Sequence, residues 1–212
     1  MKLICKGAEA NLYLDFWFGF KVVKKIRISK PYRIPELDEY LRSYRTFNEA
    51  RLLSSARRVG VSTPIVLDVN PSSYTLTMEY IEGVLLRDYM LKADEKILKK
   101  HFIKVGEMIG VLHSNGIYHG DLTTSNMFIV NDNVYLIDFG LGGFSREVEA
   151  FGVDLHLMRR TLESTHHDLA EQCFSYVVEG YSSSFEDWRR VLKKVEEIRR
   201  RGRYVEERRL RK

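Results

Sequence analysis

Cysteine is nearly missing from this chain: of 212 residues only Cys5 and Cys173 carry a thiol. They stand far apart, with no Cys-x-x-Cys pair and no histidine-rich neighbourhood, which excludes a disulfide framework and a zinc site and leaves two reduced, packed thiols. Long apolar runs are also lacking. No stretch approaches the roughly 20 apolar residues of a membrane span, and Met1-Lys2-Leu3-Ile4-Cys5-Lys6 is too short in its apolar part for a signal peptide. The expectation is a cytoplasmic protein without membrane contact. Internal repeats and low-complexity linkers are absent too. What is present is 44% hydrophobic composition, enough for a well-buried core and sized for one large domain or two small lobes.

Lysine and arginine number 34 against 29 acidic residues, a formal charge of +5. The segment from Arg199 to Lys212 holds eight of those cations and only two glutamates, so the rest of the chain is close to neutral. Cations concentrated in this way suit an acidic partner such as RNA, because they bind phosphate largely by releasing counterions. A solvated helix end is the plainer alternative.

Runs Asn11 to Phe16 and Phe20 to Ile28 flank a turn at Gly19 and read as antiparallel strands. From Pro35 to Gly60, Leu37, Leu41, Tyr44, Phe47, Leu52 and Leu53 recur at helical spacing, predicting one long helix. Two further strands, Pro64 to Val69 and Tyr74 to Tyr80, are joined by Asn70-Pro71-Ser72-Ser73. After Gly83 the character changes. Ala93 to His113 is an amphipathic helix, Met127 to Val130 and Val134 to Ile137 form a hairpin-like pair, and Val153 to Arg201 is again helical by period.

Between these helices, His119-Gly120-Asp121-Leu122-Thr123-Thr124-Ser125-Asn126 puts an Asp and an Asn on one loop just before a strand. Asp121 can orient or deprotonate an attacking hydroxyl or water, while Asn126 holds a metal that bridges phosphates. Shortly after, the apolar run Tyr135-Leu136-Ile137 ends on Asp138-Phe139-Gly140. A carboxylate there suits Mg²⁺, which takes oxygen ligands and completes its shell with water and phosphate. Either loop alone is an ordinary turn; the ordered pair points to chemistry on a nucleotide phosphate.

Such a site needs a phosphate cover, a lysine and an acid to hold the lysine. Gly7, Ala8, Glu9 and Ala10 form a small-residue turn whose backbone N–H groups can approach phosphate. Lys24 and Lys25 end an apolar strand on opposite faces; Lys25 is preferred, with Lys24 the alternative. Glu49, inside the long helix, is the natural anchor, and the connector at Glu79 and Ile81 would offer backbone groups to an adenine edge.

With these residues in view, the chain resembles the smallest atypical protein kinases, specifically the kinase subunit family of the KEOPS complex, which is PRPK-like and related to RIO kinases. The match is carried by Gly7 to Ala10, Lys30-Pro31-Tyr32-Arg33-Ile34-Pro35-Glu36-Leu37-Asp38, the loops at His119 to Asn126 and Asp138 to Gly142, and Arg201-Gly202-Arg203. The resemblance implies an α+β, minimal bilobal kinase-like fold: an N-lobe over 1–82, a reduced helical C-lobe over 83–200 and a basic tail over 201–212. It further implies ATP and Mg²⁺ as cofactors, Asp121 as catalytic Asp, Asn126 and Asp138 as metal ligands, and Asp154 as a buried group stiffening the catalytic loop. The implied partners are a tRNA threonylcarbamoyl-transferase subunit, other KEOPS subunits, and tRNA through Arg199 to Lys212.

Departures from the ordinary kinase pattern shape the expectation. A Gly-x-Gly-x-x-Gly loop, an Arg before Asp121 and an Ala-Pro-Glu after the metal loop are all missing. The short segment from Leu141 to Val153 leaves little platform for an extended peptide, and without an Arg before Asp121 switching by activation-loop phosphorylation loses its usual charge partner. A Ser/Thr kinase and an ATP-driven assembly module would use the same residues, and the acceptor, hydroxyl or water, is not specified. A small-molecule phosphotransferase, which His-Gly-Asp also resembles, would need an extra helical insertion that the short C-lobe has no room for.

Overall fold

The computed structural model describes residues 1–210, with side chains described through Arg201. Strands β1 (Lys2–Lys6), β2 (Ala10–Trp17) and β3 (Phe20–Arg27) run antiparallel. The β2–β3 hairpin turns on Phe18 and Gly19, both at positive φ, the two-residue geometry whose twist matches the flanking strands. Strand β1 was expected only as an unbounded strand before the Gly7 turn: all five of its residues are exposed, so no alternating apolar face marks its extent. Cys5 lies on this strand and is exposed, so the expectation of two packed thiols holds only for Cys173, whose pKa burial pushes up to about 11.

Helix α1 (Pro35–Arg58) begins with proline in its first turn and is followed by Gly60 at φ 90°. It leads into β4 (Val66–Asn70) and β5 (Thr75–Glu79), completing a sheet of order β1-β2-β3-β5-β4. The apolar spacing that announced α1 misidentifies its inner face. Leu52 and Leu53 are buried, but Leu37, Tyr44 and Phe47 are exposed, and the inward positions also hold Asp38, Thr46, Asn48 and Glu49.

Strand β6 (Val84–Leu85) and short helix α2 (Leu86–Tyr89) lead to α3 (Glu95–Ser114), whose N-terminus is capped by the Asp94 carboxylate accepting from Ile97 N at 2.8 Å. Strand β7 (Ile117–Tyr118) follows, then the β8 (Met127–Val130) and β9 (Asn133–Leu136) hairpin, turning on Asn131 and Asp132 at positive φ. Strand β10 (Gly143–Phe144) pairs with β7. The helical remainder starts earlier than its periodicity suggested and is divided into α4 (Val148–Thr165), α5 (Ala170–Ser184) and α6 (Trp188–Leu210).

Helices α3 and α5 touch backbone to backbone, because a methyl group at Gly106 would collide with the Val177 carbonyl. One apolar cluster spans both lobes, running from Leu52, Leu53 and Leu76 to Phe102, Ile109, Leu122, Phe139 and Leu155. Full burial of a side chain such as Phe102 is worth about 1.5–3 kcal/mol. Helix α6 is fixed to α4 by charge: Arg199 pairs with Glu163 at 3.2 Å and Arg201 with Glu149 at 2.8 Å. Thus part of the basic tail expected to meet tRNA is engaged within the chain; the side chains of 202–212 lie outside the described residues. No helix of the described residues is long and apolar enough to cross a membrane.

Candidate active site

Strand alternation decides which lysine faces the cleft. Lys24 points away and pairs with Asp15 at 2.7 Å. Lys25, buried in β3 between β2 and β5, places Nζ 2.8 Å from Glu49 Oε1 and 2.7 Å from Asp138 Oδ1. Burial works against its charge, but the two carboxylates outweigh burial and raise its pKa. Glu49 comes from the polar inner face of α1, and its other oxygen takes a second cation, Arg27 Nη2, at 2.7 Å. Arg27 follows Lys25 by two positions and therefore shares its strand face.

Asp138 sits just beyond β9 at φ 59°, a left-handed conformation unusual for a residue other than glycine. Its Oδ1 also accepts from Gly140 N at 3.2 Å, and the side chain stays partly open to the cleft. Burial would push its carboxyl up, yet Lys25 and the Gly140 N–H hold it below the usual range. Phe139, fully buried, packs against the His119 ring at 4.4 Å between centroids. His119 Nδ1 accepts from Asp121 N at 3.3 Å, so its Nε2 carries the proton donated to the Ile137 carbonyl at 3.0 Å. One imidazole thus ties the Asp121 loop to the strand end that carries Asp138.

Asn126 Nδ2 donates to the Asp121 carboxylate and to its carbonyl, each at 2.8 Å, which fixes the Asp121 side chain across the loop. The loop backbone is held from beneath by Asp154 of α4. Its carboxylate accepts from His119 N at 2.6 Å and Gly120 N at 2.8 Å, and His113 Nε2 lies 3.4 Å away. Gly120 is required here: its φ is 81°, and a side chain would strike the Leu141 carbonyl. The segment after Gly140 is fastened to α1 by Asn48 Nδ2 donating to the Gly142 carbonyl at 3.2 Å and by Arg51 over the Phe144 ring.

Two connected spaces meet at Lys25 and Asp138. One, about 460 Å³, is apolar, with Leu12, Val23 and Met78 on the sheet side, Phe128 and Ile137 opposite, and the connector Glu79, Tyr80 and Ile81 along one edge. The Glu79 carboxylate itself is turned to Ile65 N at 3.1 Å, and Glu79 N and Tyr80 N donate to the Ile65 and Lys21 carbonyls at 2.9 and 3.4 Å. The other, about 430 Å³, is lined by Gly7 to Ala10, Arg27, Arg45, Asp121 and Gly140. Together they match the size and mixed lining of a small-molecule site. Of the residues named for the site, Gly7 to Ala10, Lys25, Glu79, Ile81, Asp121, Asn126 and Asp138 border one of these spaces and Glu49 holds Lys25, whereas Lys24 does neither. Asn126 and Asp138 offer oxygen donors only, and among the described residues no group of three or more His, Cys, Asp or Glu could hold an ion alone. That donor set fits Mg²⁺ completed by phosphate oxygens.

Arg27 and Arg45 escaped the sequence reading, and Arg33 entered it only within the Lys30 to Asp38 element, with no role at the site. Glu9 in the small-residue turn is not free: it binds Arg45, lies 3.5 Å from Arg33 and 3.9 Å from Arg27. The available signals were local, Arg27 sharing a strand face with Lys25 and Arg45 standing one helical turn before Glu49.

The protein kinase domain family matches residues 20–166. The chain is 46% identical to the KEOPS complex subunit Bud32 of Pyrococcus abyssi, covering 97% of both proteins. It is 47% identical to a probable bifunctional tRNA threonylcarbamoyladenosine biosynthesis protein of Methanothermobacter thermautotrophicus, covering 96% of this chain but only 37% of that longer protein. Among solved structures, WaaP in complex with acyl carrier protein has a TM-score of 0.68 at 13% identity, covering 96% of this chain and 88% of that one. The Rio2 kinase–ADP/Mg²⁺–phosphoaspartate complex from Chaetomium thermophilum has 0.64 at 15%, covering 97% and 72%. Both likenesses show the fold, a β-sheet N-lobe over a helical C-lobe. The chain belongs to the protein kinase domain family and, within it, to the small KEOPS-subunit branch that includes the Pyrococcus protein.

Proposed function

We propose that this chain binds Mg·ATP in the cleft and transfers the γ-phosphoryl group to a Ser/Thr hydroxyl or to water, in support of threonylcarbamoyladenosine formation on tRNA. The observation that carries this is Lys25 bridging Glu49 and Asp138 beside the Asn126-held Asp121. When bound, Mg²⁺ neutralises charge on the phosphate oxygens; the other tasks fall to the chain. Lys25 exchanges Asp138 for α/β-phosphate while Glu49 keeps it aimed. Asp138 and Asn126 then offer oxygens to the metal. Backbone groups of Gly7 to Ala10 cover the phosphates, those of Glu79 and Ile81 hold the adenine edge, and Asp121 takes the proton from the attacking oxygen.

The relatives' names support a KEOPS complex and threonylcarbamoyladenosine biosynthesis as the setting; to this the proposal adds a tRNA threonylcarbamoyl-transferase subunit as partner and tRNA reached through Arg199 to Lys212. A specific observation favours water as acceptor. Only the seven residues Leu141 to Glu147 separate the metal loop from α4, and they are pinned to β7 and to α1. No ledge is left there for an extended peptide. The test is to follow γ-labelled ATP with the protein alone and then with the transferase and tRNA. Inorganic phosphate whose release rises with the partners supports the assembly ATPase, label on Ser or Thr supports the kinase, and no movement of label overturns both.

A further inference from the structure

Phosphoryl transfer spreads negative charge over the transferring group, and that charge must be met by fixed cations as well as by metal. Between Asp121 and Asn126 this chain has Leu122, Thr123, Thr124 and Ser125, so the catalytic loop brings no cation to the phosphoryl. The space beside Asp121 and Asp138 is instead lined with arginine from the N-lobe. Arg27 is buried and locked, donating to Glu49 at 2.7 Å and to the Arg45 carbonyl at 3.4 Å. Arg45 differs in kind. It stands one turn before Glu49 on the same face of α1, its side chain is 27% exposed, and its partner is Glu9, from the very turn that would cover the phosphates.

Resting on the Mg·ATP reading above, we propose that Arg45 binds the transferring phosphoryl group from the N-lobe side, and that Glu9 occupies Arg45 as that group's stand-in when no nucleotide is bound. Burial alone would raise the Glu9 carboxyl, but Arg45, Arg33 and Arg27 hold it below its usual range, so it is an anion competing for the same guanidinium. On ATP binding Arg45 releases Glu9, which keeps Arg33 as a partner at 3.5 Å. In the transfer itself, the bond between γ-phosphorus and the bridging oxygen breaks and its electron pair stays on ADP. A bond to the acceptor oxygen forms, and the acceptor's proton passes to Asp121. Arg45 faces the equatorial oxygens through both steps, as a planar fork suits them.

A pure tether between the turn and α1 would behave differently, because Arg45→Gln and Glu9→Gln would then damage binding in the same direction. The experiment measures Mg·ATP and Mg·ADP affinities, and single-turnover rates, for the wild type, Arg45→Gln, Arg45→Lys and Glu9→Gln, with thermal melts to confirm folding. The proposal predicts that Arg45→Gln weakens ATP by about tenfold to a hundredfold and slows turnover by about 10²- to 10³-fold, with ADP affinity little changed. Arg45→Lys recovers part of both losses. Glu9→Gln tightens ATP, by up to about fivefold for a partly exposed pair. Equal loss of ATP and ADP in both Gln variants overturns the Arg45 assignment alone. A wild type that binds neither nucleotide overturns the nucleotide reading itself.

Discussion

The two long helices α1 and α3 are built on opposite rules. Helix α3 follows the ordinary one: Leu98, Phe102, Val105, Ile109 and Leu112 face inward and its charged residues face water. Helix α1 turns Asp38, Asn48 and Glu49 inward beside Leu52 and Leu53, and leaves Leu37, Tyr40, Tyr44 and Phe47 outside, with Tyr40 and Tyr44 stacked. One helix is held by apolar packing; the other adds to its buried Ala50, Leu52, Leu53 and Ala56 an inner face of ion pairs and hydrogen bonds. The difference teaches that α1 is positioned by specific polar partners as well as by packing. Asp38 ties its first turn to Arg42, one turn on, at 2.7 Å and to Lys30 N at 3.2 Å, Glu49 fastens its middle to Lys25 and Arg27, and Asn48 fastens the segment after Gly140.

The comparison is broken first at the apolar positions where it is strongest. Phe102→Ala on α3 should cost about 3–5 kcal/mol and Leu53→Ala on α1 about 2–5 kcal/mol in denaturant unfolding, since both side chains are fully buried. A smaller effect sharpens the C-lobe side. Burial holds His113 below its usual pKa, against the pull of Asp154, so the unfolded chain binds more protons than the folded one below about pH 6.5. His156 and His166 are lowered by burial as well. Stability is therefore full above that pH and falls as pH drops toward the folded-state values. Melting curves from pH 7.5 to 5 should show Tm decreasing, and His113→Asn should flatten part of the slope. The smallest effect is the most telling for α1: Phe47→Ser, apolar to polar on the helix that apolar spacing announced, should stay within about 0.5 kcal/mol because Phe47 is 59% exposed.

Much of this was legible in the sequence where contacts are local. The Asp121–Asn126 loop and the Asp138 strand end are short segments whose spacing already fixes their geometry, and strand alternation separates Lys25 from Lys24. The kinase-like fold came with the family resemblance that these pieces carry. What escaped depends on partners distant in sequence. The inner face of α1 could not be read from apolar spacing because its inward residues are chosen for Lys25, Arg27 and Gly142, which come from other elements. The arginines around Glu9 meet only because the turn after β1, strand β3 and α1 converge. Strand β1 carries no apolar alternation at all, its place being set by pairing with β2.

The central claim, a cleft in which Asp138 serves binding and Asp121 serves the chemical step, is tested most directly by titrating ATP with and without Mg²⁺ into the wild type, Asp138→Ala and Asp121→Asn, with turnover measured in parallel. The account predicts Mg²⁺-dependent binding that is weakened in Asp138→Ala. It predicts nearly intact binding in Asp121→Asn, with turnover reduced by about 10²- to 10⁴-fold. Wild-type binding and turnover in both variants would contradict it.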